Sequence, residues 1–178
     1  MGKKIISFGL SEQDIDRALK ELEQYKQEIR KKTELLREKV AQRLKEEARS
    51  GFAQAISDTI ISAGGSVTEL HSQVDVSVDT KGNVSVVIAS GEDAVWIEFG
   101  SGVYYNGSPG TSPHPSGAEL GFTIGGYGDG NGVKKVWGYK DETDSLVLTH
   151  GTPASMPMSK AITTVMNEIQ SIAKEVFG

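Results

Sequence analysis

The chain has no cysteine, which excludes a disulfide frame, a thiolate metal site and a cysteine nucleophile, and suits a reducing compartment. Histidine is scarce. His71, His114 and His150 are the only three, no two stand three to five residues apart on one predicted helix, and no HExxH-type pattern occurs, so the spacing of a zinc site is missing. No window approaches the roughly 20 apolar residues of a membrane span, and the apolar run at Ile5-Ile6 is too short for a secretory h-region. The expectation is a cytoplasmic protein with no membrane partner and no metal or other cofactor.

A one-sided basic field is also lacking. The net charge is −5. Residues 1–50 carry 13 Lys or Arg against 10 Asp or Glu, and residues 51–178 carry 6 against 14. Such an acidic body repels a phosphate backbone, so sequence-specific nucleic-acid binding is not expected. No Gly-x-Ser-x-Gly elbow is present, and Gly100-Ser101-Gly102 lacks its flanks. The glycines at 125, 126, 128, 130 and 132 precede Lys134 and Lys135 but have no Lys-Ser or Lys-Thr after them. They read as a loop tip and not as a phosphate cradle.

What is present suffices for one domain: 178 residues with an apolar share of 37%. Ser11 is placed to cap a helix, with Glu12, Asp14 and Asp16 in its first turn. Ile15, Ala18, Leu19, Leu22, Tyr25, Ile29, Leu36, Val40, Leu44 and Ala48 then fall on one helical arc. The heptad companions of Ile15, Leu22, Ile29 and Leu36 are lost at Lys32 and Lys39, which disfavours a long coiled coil. The Ser11–Arg30 half either lies solvated beside its own sheet or packs on a neighbouring subunit. Phe52, Ala55, Ile56, Ile60 and Ile61 extend the spacing as a second helix or a bent continuation, ended by Gly64-Gly65. The helical region is set at 11–63.

From there the period becomes two. Val74, Val76 and Val78, then Val84, Val86 and Ile88, alternate with mostly polar partners across a turn at Thr80-Lys81-Gly82-Asn83, predicting a hairpin whose one buried face holds these six. Residues 100–138 hold 12 of the 21 glycines, so 100–136 reads as a long functional or mobile loop. Val136–Tyr139 and Leu146–Thr149 predict a second hairpin. Thr152 and Pro153 suit the cap and first turn of a last helix over 152–177. The fold class is therefore α+β: a long N-terminal helix, a β region at 70–150 with a small antiparallel sheet of about four strands and a Gly-rich insertion, and a C-terminal helix packed on the sheet, all in one domain, 1–178.

The focal stretch is Ala94–Gly102, AVWIEFGSG, where Glu98 stands among Trp96, Ile97 and Phe99. A carboxylate so placed is partly buried, and burial without a partner is costly, so a donor is expected from backbone amides, His114 or His150. Its role reads as structural before catalytic. Trp137 and Tyr139 read as sheet packing.

Taken in order, an N-terminal helix, Trp96-Ile97-Glu98-Phe99-Gly100-Ser101-Gly102, His114-Pro115 within a Gly-rich insertion, Trp137-Gly138-Tyr139, and His150-Gly151 with Pro153-Ala154 and Pro157 before a last helix resemble the tail-completion or neck proteins of long-tailed bacteriophages and prophages, the head-tail connector family. The resemblance covers nearly the whole chain. It departs at Ser101, where Thr is commoner, in the length of the insertion, and at Met156-Pro157-Met158. What the resemblance implies is a structural virion protein and not an enzyme. It would join head to tail, form a homo-oligomeric ring when assembled, and contact head-completion, tail-tube or tail-terminator proteins. Its place would be the virion, and the host bacterial cytoplasm during assembly. Two alternatives stand beside it: a hydrolase using Glu98 with His114 or His150, and an adaptor that meets a host protein.

Overall fold

The computed structural model describes residues 8–62, 73–100, 104–105, 108–109, 112–122, 137–140, 143–149 and 154–178. Helix α1 spans Glu12–Ser62 without interruption. Its start is as expected: the Ser11 hydroxyl accepts from the Asp14 amide at 3.2 Å and donates to the Asp14 carboxylate at 2.6 Å. Interior residues such as Leu35, Arg37, Glu38 and Ala41 are strong helix formers, and no proline intervenes. Of the two expectations for Phe52–Ile61, a second helix or a continuation of the first, the continuation holds, so one helix of 51 residues runs about 77 Å at 1.5 Å per residue.

Gly51 has a different use. A Cβ there would lie 2.9 Å from Cβ of Pro157, so the bare backbone lets the last helix approach. That helix, α3, spans Pro157–Phe177 and runs antiparallel to α1. Arg43 forks onto Glu168 at 2.8 and 3.1 Å, Lys39 meets Glu175 at 3.0 Å, and Lys32 lies over the Phe177 ring. The expected start at Thr152-Pro153 is corrected. Pro157 takes the first-turn position, where a missing N–H does no harm, and Met156 precedes it with positive φ. Because α3 ends level with Lys32, residues 12–31 of α1 run on past it.

Strands β1 (Asp75–Lys81) and β2 (Val84–Ser90) form an antiparallel hairpin whose turn at Gly82 has φ +58°. The register sets Val76 opposite Ala89 and Val78 opposite Val87. Opposite residues share a face, so Val76, Val78, Val87 and Ala89 turn toward α1. Val84, Val86 and Ile88 share the other row with Asp79, Ser77 and Lys81 and stay 42–61% exposed. The expected burial of that trio is thus overturned. Both rows of β2 are apolar, and the two-residue turn, by pairing Lys81 with Val84, decides which goes in.

Ala94–Phe99 forms a short helix, α2, stopped by Gly100 at φ +79°. Two-residue strands β3 (Tyr104–Tyr105) and β4 (Ser108–Pro109) pair, as do β5 (Trp137–Lys140) and β6 (Leu146–Thr149), the second hairpin expected. Among the described residues the strands make three separate two-stranded antiparallel pairs. The core joins α1 (Ala48, Phe52, Ala55), β1 (Val76), α2 (Ala94, Ile97) and α3 (Ala161), with Leu44, Val87, Ala89 and Met158 at its edge. The fold is α+β in one core, with α2 wedged between α1 and the start of α3.

Candidate functional site

Glu98 sits on the last turn of α2 and is only 6% exposed. Its Oε2 accepts the Met158 N–H at 2.7 Å, and its Oε1 accepts the Ser159 N–H at 2.9 Å. These amides belong to the first turn of α3, whose own flanking residue, Met156, supplies no side-chain cap. A helix start leaves four N–H groups without intrahelical acceptors and carries partial positive charge. The Glu98 carboxylate therefore does the work of an N-cap from 60 residues away in sequence. A backbone bond from Ser155 N–H to the Ile97 carbonyl, 2.9 Å, fixes the same junction.

Oε1 also lies 3.0 Å from His114 Nε2. The other ring nitrogen of His114, Nδ1, accepts the Ser116 N–H at 3.0 Å. An accepting Nδ1 carries no proton in the neutral ring, so Nε2 bears it and donates to Glu98. The carboxylate thus gathers three donors, the number that makes a buried acid tolerable.

Around this polar centre the residues 112–122 close as a lid of aromatic and backbone contacts. Phe122 stacks on Phe99 with centroids 4.2 Å apart, His114 lies 4.3 Å from Phe99, and Trp96 meets Phe122 edge-on at 6.4 Å. The Ser112 hydroxyl donates to the Phe99 carbonyl, and Ser112 N–H to the Phe122 carbonyl. Gly117 is required where the turn tightens, since a Cβ there would sit 2.8 Å from Ser112 Cβ.

The structure brings together Trp96, Glu98, Phe99, Gly100, His114, Ala154 and Pro157 of the residues singled out in the sequence. Pro115 lies on the turn beside them, exposed. Trp137 and Gly138 fall on β5, and the Trp137 side chain lies outside the described residues, as do Gly102, His150, Gly151 and Pro153. Sequence reasoning missed Ser112, Phe122 and the amides of Met158 and Ser159. For the amides the available signal was a helix starting on Met156-Pro157 with no Ser, Thr, Asp or Asn to cap it.

Chemically, the arrangement is closed. Both Glu98 oxygens and both His114 ring nitrogens are engaged, and the side chains are 7% and 11% exposed. A general base needs reach to a substrate proton, and the groups here spend that reach on the fold. An open cleft of about 350 Å³ does lie between α1 and α3, lined by Glu47, Ser50, Gln54, Asp58, Lys160 and Thr164 among others, but neither Glu98 nor His114 lines it. Among the described residues no group of three His, Cys, Asp or Glu is placed to hold a metal ion, and no helix is long and apolar enough to cross a membrane.

At the α1–α3 seam, the Arg43 guanidinium beside Glu168 holds that carboxyl below its ordinary range, and Glu168 in turn raises Arg43. No family model matches the chain, and no curated protein or solved structure matches it either.

Proposed function

We propose that the chain is a structural virion protein of a long-tailed phage or prophage, a tail-completion or neck component acting at the head–tail junction by protein–protein assembly. Its partners on this reading are further copies of itself and head-completion, tail-tube or tail-terminator proteins, met in the host cytoplasm and kept in the virion. It is not an enzyme. The ordered motifs around Glu98, His114-Pro115 and Pro157 support the family. The observation that carries an assembly role is the set of apolar rows left uncovered on one body: Ile15, Leu19 and Leu22 on α1, Val84, Val86 and Ile88 on β2, and Ile162, Met166 and Ile169 on α3. Large apolar surface left open marks interaction sites in a folded protein. A small antiparallel sheet of about four strands belongs to the same reading, and so does a Gly-rich insertion at 100–136 serving as a contact surface.

The hydrolase alternative has less support, because Glu98 and His114 meet as it requires but face inward and are fully engaged. Deletion of the gene from its phage, followed by electron microscopy of the lysate, tests the assignment. Unjoined heads and tails are expected. Normally joined, infectious particles would refute it.

A further inference from the structure

Two elements hang on the Glu98 carboxylate. The start of α3 gives it the Met158 and Ser159 N–H groups, and residues 112–122 give it the Nε2–H of His114. Their departures have unequal consequences. If the start of α3 leaves, the acid loses two of its three donors, and a helix with no side-chain cap of its own loses its acceptor. If residues 112–122 leave, both amide bonds remain, so no buried charge is left without a partner.

The lid is also closed on itself. Among the described residues its backbone bonds stay inside it: Ser112 N–H meets the Phe122 carbonyl at 2.9 Å and ties the two ends, while Gly117, Leu120, Gly121 and Phe122 donate to the carbonyls of His114, Ser116, Ala118 and Gly117. A loop whose ends meet in this way packs on its own atoms. Two hydrogen bonds join it to the body among the described residues, from the Ser112 hydroxyl to the Phe99 carbonyl and from His114 to Glu98. Both end on α2, as do the ring contacts of Phe122 with Phe99 and Trp96 and of His114 with Phe99. Water can replace each polar partner that departure would break. What opposes departure is the exposure of Phe122 and of the ring face it covers, which keeps the closed form dominant.

We infer that residues 112–122 are a cover that lifts off α2 while the core and the cap of α3 stay in place, with the His114–Glu98 bond as its latch. Lifting bares the Phe99 ring and the edge of Trp96, and it frees one acceptor position on Glu98 Oε1. The open form is a minor one, on the order of 1% of molecules or less. This device is a property of the fold and does not rest on the assembly reading.

The chain has no native cysteine, so one introduced thiol reports one opening. Three buried positions serve: Ser112→Cys for the cover, Ala161→Cys for α3 and Ala48→Cys for the core. Thiol labelling of the folded full-length protein is expected to run about 10-fold or more faster at Ser112→Cys than at either other site. Val76→Ala, which loosens the core cluster that holds Ala48, should speed labelling at Ala48→Cys about 10-fold and leave Ser112→Cys within about 2-fold. His114→Ala should speed labelling at Ser112→Cys about 10-fold, as loss of a hydrogen bond to a charged group implies. Hydrogen exchange of the cysteine-free chain checks that Ser112→Cys has not itself sprung the cover: Val76→Ala should speed exchange near Phe52 and not within 112–122. Equal acceleration of both regions by Val76→Ala, labelling at Ser112→Cys no faster than at Ala161→Cys, or indifference to His114→Ala would each overturn the inference.

Discussion

Replacement of Glu98 separates a structural acid from a catalytic one by the sign of its effect. In Glu98→Ala, the N–H groups of Met158 and Ser159 and the Nε2–H of His114 lose their acceptor inside a buried junction. A hydrogen bond to a charged group contributes about 1.5–3 kcal/mol net, and an N-cap about 1 kcal/mol. The three donors share one carboxylate, so their terms do not add, and the expected loss is about 3–5 kcal/mol. Glu98→Gln keeps one acceptor oxygen but turns an amide donor toward a donor; its loss is about 2 kcal/mol. Urea unfolding followed by circular dichroism reads both. With a slope of about 2–3 kcal/mol per molar, the alanine midpoint falls by roughly 1–2 M. An acid retained for catalysis behaves in the opposite way, because replacing a strained active-site group tends to stabilise. Two variants within about 0.5 kcal/mol of wild type, or more stable than it, would refute the capping role.

Gly51→Ala gains helix propensity but drives a methyl into Pro157, and a net loss of about 1–2 kcal/mol is expected in the same unfolding assay. Phe52→Ala empties the most deeply buried large side chain and is expected to lose about 3–5 kcal/mol. Phe122→Ala removes the stack on Phe99, so limited proteolysis should cut within 112–122 sooner than in wild type while α1 resists. The Glu168 carboxyl is held down in the folded state, so its contribution is present above the ordinary carboxylate pKa and lost as pH falls through the depressed one. The stability gap between wild type and Glu168→Gln should therefore be widest near pH 7 and shrink in acid; a gap that is constant with pH would show that the pair contributes nothing through charge.

Much of the architecture was legible where local signals agree. Ser11 and Asp14 announced the start of α1, and the second hairpin at 137–149 followed from alternation and turn residues. Glu98 was legible as a buried acid needing donors, because desolvation physics holds whatever the fold. Its main partners were not, since a backbone amide carries no sequence label and Met158 lies 60 residues away. The face of β2 was misread because Val84, Val86, Val87 and Ile88 are all apolar, and only the register with β1 distinguishes in from out. Whether the helix runs on through Gly51 stays open in the sequence between a second helix and a bent continuation, because a glycine inside a helix can also mark where another backbone comes close. The start of α3 was placed too early because two prolines, Pro153 and Pro157, each satisfy the first-turn rule.

The cap that α3 borrows from α2 also orders events during synthesis. The carboxylate is made long before the amides it serves, and until residues 157–159 leave the ribosome it must stay hydrated or be sheltered by His114 alone. Wedging of α2 into the core is thereby tied to completion of the chain's last helix. A nascent or truncated product that stops short of Pro157 leaves Glu98 without two of its three donors, so α2 gains less from burial and the product should be more open to proteases.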